Sequence, residues 1–143
     1  MRWMALDHGT KKIGIAFCDE MEIIATPFGV WPMESGVLEK LAGLARSENA
    51  RAILIGLPLH KDGAESATAS SAREFGQTLA EKTNLPYAFI NEHLTTSEAR
   101  KLLTQSGVKP KDQSAKLDAA AAAVLLREHL ENRRGQGKEI NCF

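Results

Sequence analysis

Residues 2–19 read Arg2-Trp3-Met4-Ala5-Leu6-Asp7-His8-Gly9-Thr10-Lys11-Lys12-Ile13-Gly14-Ile15-Ala16-Phe17-Cys18-Asp19, and how this stretch folds back on itself decides the architecture. Arg2–Leu6 is a short apolar strand. Gly9 with Thr10-Lys11-Lys12 supplies turn chemistry, and Ile13–Asp19 alternates, with Ile13, Ile15 and Phe17 on one face, the period of a strand set on a core. Asp19-Glu20 makes a second turn before a third strand, Ile23–Val30. Turns this short join antiparallel neighbours, so the chain opens as a three-stranded meander.

Beyond it the period changes. Ser35–Ser47 sets Val37, Leu38, Leu41, Leu44 and Ala45 on one stripe, an amphipathic helix with Ser35 in the capping position. Ala52-Ile53-Leu54-Ile55-Gly56 is apolar at successive positions, as in a strand covered on both faces. The polar, glycine-bearing stretch His60–Ala64 reads as a loop before a helix over Glu65–Lys82, with Ala72, Phe75 and Leu79 inward. Tyr87–Ile90 is a fifth strand that runs into Asn91-Glu92-His93. Thr95 and Glu98 have capping-box spacing, and the helix they open ends near Ser106-Gly107. A basic, proline-containing loop, Val108–Ser114, leads to a last helix over Lys116–Asn132, and Arg133 onward reads as a frayed tail. Right-handed crossovers through the helices place the later strands parallel to the first. The expected class is α/β: a five-stranded mixed sheet, antiparallel meander first and parallel strands after it, with helices on both faces. Residues 1–133 form one domain and 134–143 a flexible tail.

Composition bounds the function. The 143 residues suit one domain, and a chain 43% hydrophobic and 25% charged is that of a folded soluble protein. Eighteen basic side chains against eighteen acidic give zero net charge, so no basic arm holds a polyanion by bulk attraction. Local placement differs: Arg100, Lys101, Lys109, Lys111 and Lys116, offset only by Asp112, make residues 100–116 locally basic. Cys18, in an apolar run, and Cys142, in a polar tail, read as reduced thiols of a cytoplasmic protein. The N-terminal residues meet Asp7 too early for a signal peptide, and no segment reaches the ~20 apolar residues of a membrane span.

In sheets of this kind ligands favour the carboxyl ends of the parallel strands. Asp7 ends the first strand and Glu92 the last; separately, Asp7 reads equally well as a turn cap and Glu92 as a solvated strand-end acid. Asp118, near the start of the last helix, gains from the helix dipole. It also shares a helix face with Ala121, Ala122 and Leu125, and an acid on a buried face needs a partner. Ala119–Ala123 let this helix lie close to the sheet, which brings Asp118 toward Asp7 and Glu92. Three converging carboxylates repel one another unless a cation neutralises them, and hard divalent ions take such oxygen ligands. Two ions about 4 Å apart activate water on one side of a phosphodiester and stabilise the leaving oxygen on the other.

Four motifs carry a resemblance. Asp7-His8-Gly9-Thr10-Lys11-Lys12-Ile13-Gly14, Gly56-Leu57-Pro58-Leu59 with Asp62-Gly63, Glu92-His93-Leu94-Thr95-Thr96 with Glu98-Ala99, and Leu117-Asp118-Ala119-Ala120-Ala121 resemble, in order, the motifs of the YqgF family, also called RuvX. The resemblance covers nearly the whole chain apart from the tail. It implies a ribonuclease H-like fold and a nuclease, related to Holliday-junction resolvases, that matures the 5′ end of 16S ribosomal RNA. It also implies an acidic triad on Asp7, Glu92 and Asp118 that holds one or two Mg²⁺ or Mn²⁺ ions, the same three acids reached above. Thr10, Lys11 and Lys12 in the first turn, His93 and Thr95 in the third motif, and Arg100 and Lys116 on the basic strip are the expected substrate contacts.

Two departures from the family pattern stand out. Asn91-Glu92-His93 replaces the usual Asp-Glu-Arg, and His8 replaces an apolar residue. An arginine grips phosphate through two hydrogen bonds, whereas His93 does so in part and only when protonated. His8 and His93 are either surface histidines or metal ligands, and the latter favours Mn²⁺. Trp3, Trp31 and Tyr87 are few for base stacking, so backbone and shape are the expected basis of recognition.

The expected function is thus a divalent-metal-dependent nuclease acting on structured RNA of a pre-ribosomal particle. Branched or single-stranded DNA is the alternative substrate. A non-catalytic ribosome-assembly module is an alternative of another class. So is nucleotide binding, because Asp7-x-Gly9-Thr10 also resembles the phosphate loop of actin-like ATPases, whose site lies between two domains. The sequence leaves monomer and homodimer both open.

Overall fold

The computed structural model describes residues 1–58, 67–92, 104–105, 107 and 109–135. In chain order these form β1 (Trp3–His8), β2 (Lys12–Cys18), β3 (Ala25–Pro32), α1 (Val37–Ser47), β4 (Ala52–Pro58), α2 (Ala67–Thr83), β5 (Tyr87–Glu92) and α3 (Pro110–Gly135). The strands make one sheet in the order β3-β2-β1-β4-β5. β2 pairs antiparallel with β1 and β3, and β4 pairs parallel with β1 and β5. This is the expected α/β architecture, with the meander on one side of β1 and the crossover strands on the other.

Strand alternation divides the core in two. Met4, Leu6, Ile13, Ile15, Phe17, Ile53 and Ile55 face one way and bury Leu41 and Ala42 of α1 with Ala72 and Leu79 of α2. Trp3, Ala5, Ala16, Cys18, Leu54 and Ala88 face the other way, against Ala122, Ala123, Leu126 and Leu130 of α3. Cys18 and Trp3 are therefore core residues.

Several boundaries differ from expectation, each for a local reason. Ile23 and Ile24 belong to the β2–β3 turn: the Asp19 carboxylate accepts the backbone N–H groups of Met21, Ile23 and Ile24 at 3.0, 2.8 and 2.7 Å and replaces a ladder there. Ser35 does not cap α1. The capping position is Gly36 at φ 89°, with no side-chain bond, a left-handed conformation that glycine adopts without strain. The loop expected over Val108–Ser114 is helical from Pro110, because proline suits the first position of a helix, where its missing N–H has no partner to lose.

Asp118 consequently lies more than two turns inside α3, beyond the reach of the terminal dipole from which an acid near a helix start would gain. Nor is Arg133 part of a frayed tail. It is 4% exposed, and its Nε and Nη2 donate to Glu22 Oε1 and Oε2 at 2.6 and 3.2 Å, while Arg134 Nη2 donates to the Glu22 carbonyl at 2.8 Å. Burial alone would raise the Glu22 carboxyl, but Arg133 and the N-terminal ammonium outweigh it and hold the group at about 2. The loop expected at His60–Ala64, most of the helix expected from Thr95 and residues 136–143 lie outside the described residues. Among the described residues no helix is long and apolar enough to cross a membrane.

Candidate active site

Gly14 organises the site. It is the partner of Asp7 in the β1–β2 ladder, and it occupies the sheet face on which α3 lies. A Cβ at Gly14 would collide with the backbone carbonyl of Asp118 and stand 2.9 Å from the nitrogen of Ala119. The α3 backbone thus rests on the sheet at Gly14, directly across the ladder from Asp7. The run Ala119–Ala123, buried at every position, permits this approach. Gly56 repeats the device on β4, where a Cβ would meet Leu125 Cδ1 at 2.6 Å.

Asp7 follows Trp3 and Ala5 along the α3-facing register of β1, the face on which the Asp118 backbone rests at Gly14. The Asp118 carboxylate is 33% exposed, and Lys12 Nζ stands 3.6 Å from its Oδ2. Glu92 is the last residue of β5 and pairs with Pro58 at the carboxyl end of β4. It has the register parity of Ala88 and Ile90. Because β4 intervenes, it lies two strands from β1, roughly 9–10 Å between strand axes. Its side chain is outside the described residues.

The turn beside Asp7 is tight. Gly9 N–H donates to the Lys12 carbonyl at 3.1 Å, and a Cβ on Gly9 would meet that oxygen at 2.7 Å. Thr10, Lys11 and Lys12 are exposed around it, and Lys116 is exposed on α3 two residues before Asp118. His93, Thr95 and Arg100 lie outside the described residues. His8 is neither a surface histidine nor a neighbour of Asp7 on its face: it pairs with Ile13, packs on the Phe75 ring of α2 at a centroid distance of 4.8 Å, and is 9% exposed. Burial pushes its imidazole below the usual value.

Asp118 and Lys12 become a pair only in the fold, and Gly14, the last residue of the first motif, shows there why it is a glycine. The signal was present, since a glycine inside an otherwise apolar strand marks a close backbone approach.

The chain matches the family model described as "RuvX: Holliday junction resolvase" over residues 1–132. A Rhodopirellula baltica protein named a pre-16S rRNA nuclease is 37% identical over 139 residues, which cover 96% of this chain and 80% of the relative. One from Lactococcus lactis with the same name is 33% identical over 134 residues, covering 91% and 94%. Among solved structures, Thermus thermophilus RuvC superposes with a TM-score of 0.62 at 14% identity over 94% of this chain and 97% of that one. The fowlpox virus resolvase, solved with Holliday junction DNA, gives 0.61 at 14% identity over 92% and 98%. The fold is therefore shared with these resolvases.

Proposed function

The chain belongs to the RuvX family, and from that premise we propose that it is a divalent-metal-dependent nuclease that hydrolyses phosphodiester bonds at the carboxyl end of β1. The observation that carries this reading is Gly14, against which the Asp118 backbone rests directly across the β1–β2 ladder from Asp7, at the carboxyl end of β1.

The donor chemistry fits a hard divalent ion: carboxylate oxygens from two rigid elements, partly open to solvent, with a lysine ammonium already drawn to one of them. Asp7 and Asp118 would hold Mg²⁺ or Mn²⁺, with Glu92 at the end of β5 as the third ligand. When bound, the metal supplies Lewis-acid stabilisation of the phosphate and a water of lowered pKa. Asp7 and Asp118 orient what they hold because strand pairing and helix packing fix their backbones. Lys11, Lys12 and Thr10 bind phosphate oxygens at the mouth of the site, and Lys116 extends that contact along α3. His93, Thr95 and Arg100 complete the substrate set.

The substrate proposed first is the precursor of 16S ribosomal RNA in the cytoplasm, supported by the names of relatives above 30% identity. Branched DNA is the second reading, supported by the description of the family model. The test incubates the protein with labelled precursor rRNA, linear single strands and four-way DNA junctions, each with Mg²⁺, Mn²⁺ or chelator. Metal-dependent cleavage of the rRNA in preference to the junction supports the first substrate, and the reverse preference the second. Tight binding with no cleavage of any substrate would replace the nuclease with a non-catalytic assembly module.

A further inference from the structure

Lys12 opens β2 and shares with Gly14 the face on which α3 lies, so its side chain rises beside the helix at Asp118. The ammonium is 3.6 Å from Asp118 Oδ2, an ionic contact longer than a charge-assisted hydrogen bond, and the lysine side chain is 56% exposed. Such a pair is weak and exchanges easily. The backbone end of Lys12 is fixed by the Gly9 N–H bond to its carbonyl, so only the flexible stem decides where the charge sits. Asp118 is also a proposed metal ligand. A lysine ammonium and a divalent ion therefore address the same carboxylate.

We infer that Lys12 is an exchangeable counter-ion of the metal centre: its ammonium neutralises Asp118 until a divalent ion takes that carboxylate, and the displaced ammonium then pairs with a phosphate oxygen of the nucleic acid. The inference rests on the nuclease reading of Asp7 and Asp118. It differs from a lysine that serves phosphate alone, because it makes Lys12 a competitor of the metal. Metal and nucleic acid are then coupled through one side chain, and the coupling is reciprocal: each raises the affinity of the other by the same factor.

The test uses the full chain and two probes. Mn²⁺ alone is titrated calorimetrically into wild type, Lys12→Met, Lys12→Arg, Lys11→Met and Asp118→Asn. A labelled phosphorothioate oligonucleotide is then bound with and without Mn²⁺. Lys12→Met raises Mn²⁺ affinity about two- to fivefold, the scale of an exposed ion pair, while Lys12→Arg does not raise it. Lys11→Met, which removes the same charge one residue earlier, changes it less. In Lys12→Met the gain in oligonucleotide affinity on adding Mn²⁺ shrinks as well. Mn²⁺ affinity that falls in Asp118→Asn but is unmoved or weakened in Lys12→Met would overturn the exchange alone. Affinity indifferent to both substitutions would overturn the metal site and the exchange with it.

Discussion

At the scale of single residues, Gly14 and Gly56 make the same kind of contact with different tolerance. A methyl group at Gly14 meets the backbone of Asp118, which moves only if α3 moves, whereas one at Gly56 meets the terminal methyl of Leu125, which turns aside. Gly14→Ala is expected to cost roughly 2–3 kcal/mol and Gly56→Ala less than about 1.5 kcal/mol, as urea unfolding will measure. Only Gly14→Ala should also weaken Mn²⁺ binding, since it lifts Asp118 away from Asp7. Equal losses in the two variants would mean that the close approach at Gly14 is not what positions the acid.

At the scale of elements, α3 closes one face of the sheet and carries both the site and its anchor. Near its end His129 lies edge-on to the Trp3 ring, 4.4 Å between centroids, and burial, with the positive charge of Arg133, lowers its imidazole to about 4 against the opposing effect of Glu22. A histidine held neutral in this way contributes stability that is present above its unfolded value near 6.5 and is lost as pH falls from there to about 4. Glu22, held at about 2 against an unfolded value of 4.5, contributes stability that is present above 4.5 and lost as pH falls through 2. The urea midpoint should therefore decline in two windows on acidification. His129→Phe should shrink the first, leaving the part that buried His8 contributes, and Glu22→Gln should shrink the second.

The strands of this fold were legible because their period is local: Ile13, Ile15 and Phe17 announce a half-buried face, and Ala52–Ile55 a strand covered twice. The ends of α3 were not. Pro110 reads as a breaker until a helix is seen to begin on it. Arg133 reads as a solvated tail until Glu22, 111 residues away in sequence, is seen to meet it. Of the candidate site, Asp7 and Asp118 were legible from strand ends and alanine spacing. The Lys12–Asp118 pairing is a tertiary contact with no mark in the local pattern.

At the scale of the whole molecule, zero net charge conceals an uneven arrangement. Asp7 and Glu92 stand at the carboxyl ends of β1 and β5, and Lys11 and Lys12 on the first turn and Lys116 on α3 are exposed. With few cations to offer, the protein should bind single-stranded nucleic acid with a shallow salt dependence. In a logarithmic plot of affinity against salt the slope is roughly −3, Lys11, Lys12, Lys116 and Arg100 at about −0.7 each. A slope near zero would remove these side chains from the interface. If Asp7 and Asp118 act together through a divalent ion, the Mg²⁺-dependent cleavage rate of labelled precursor rRNA by wild type, Asp7→Asn and Asp118→Asn will show it. Chelator is expected to abolish cleavage, and each substitution to lower it by more than about a hundredfold. Cleavage that survives both substitutions at the wild-type rate would contradict that joint action.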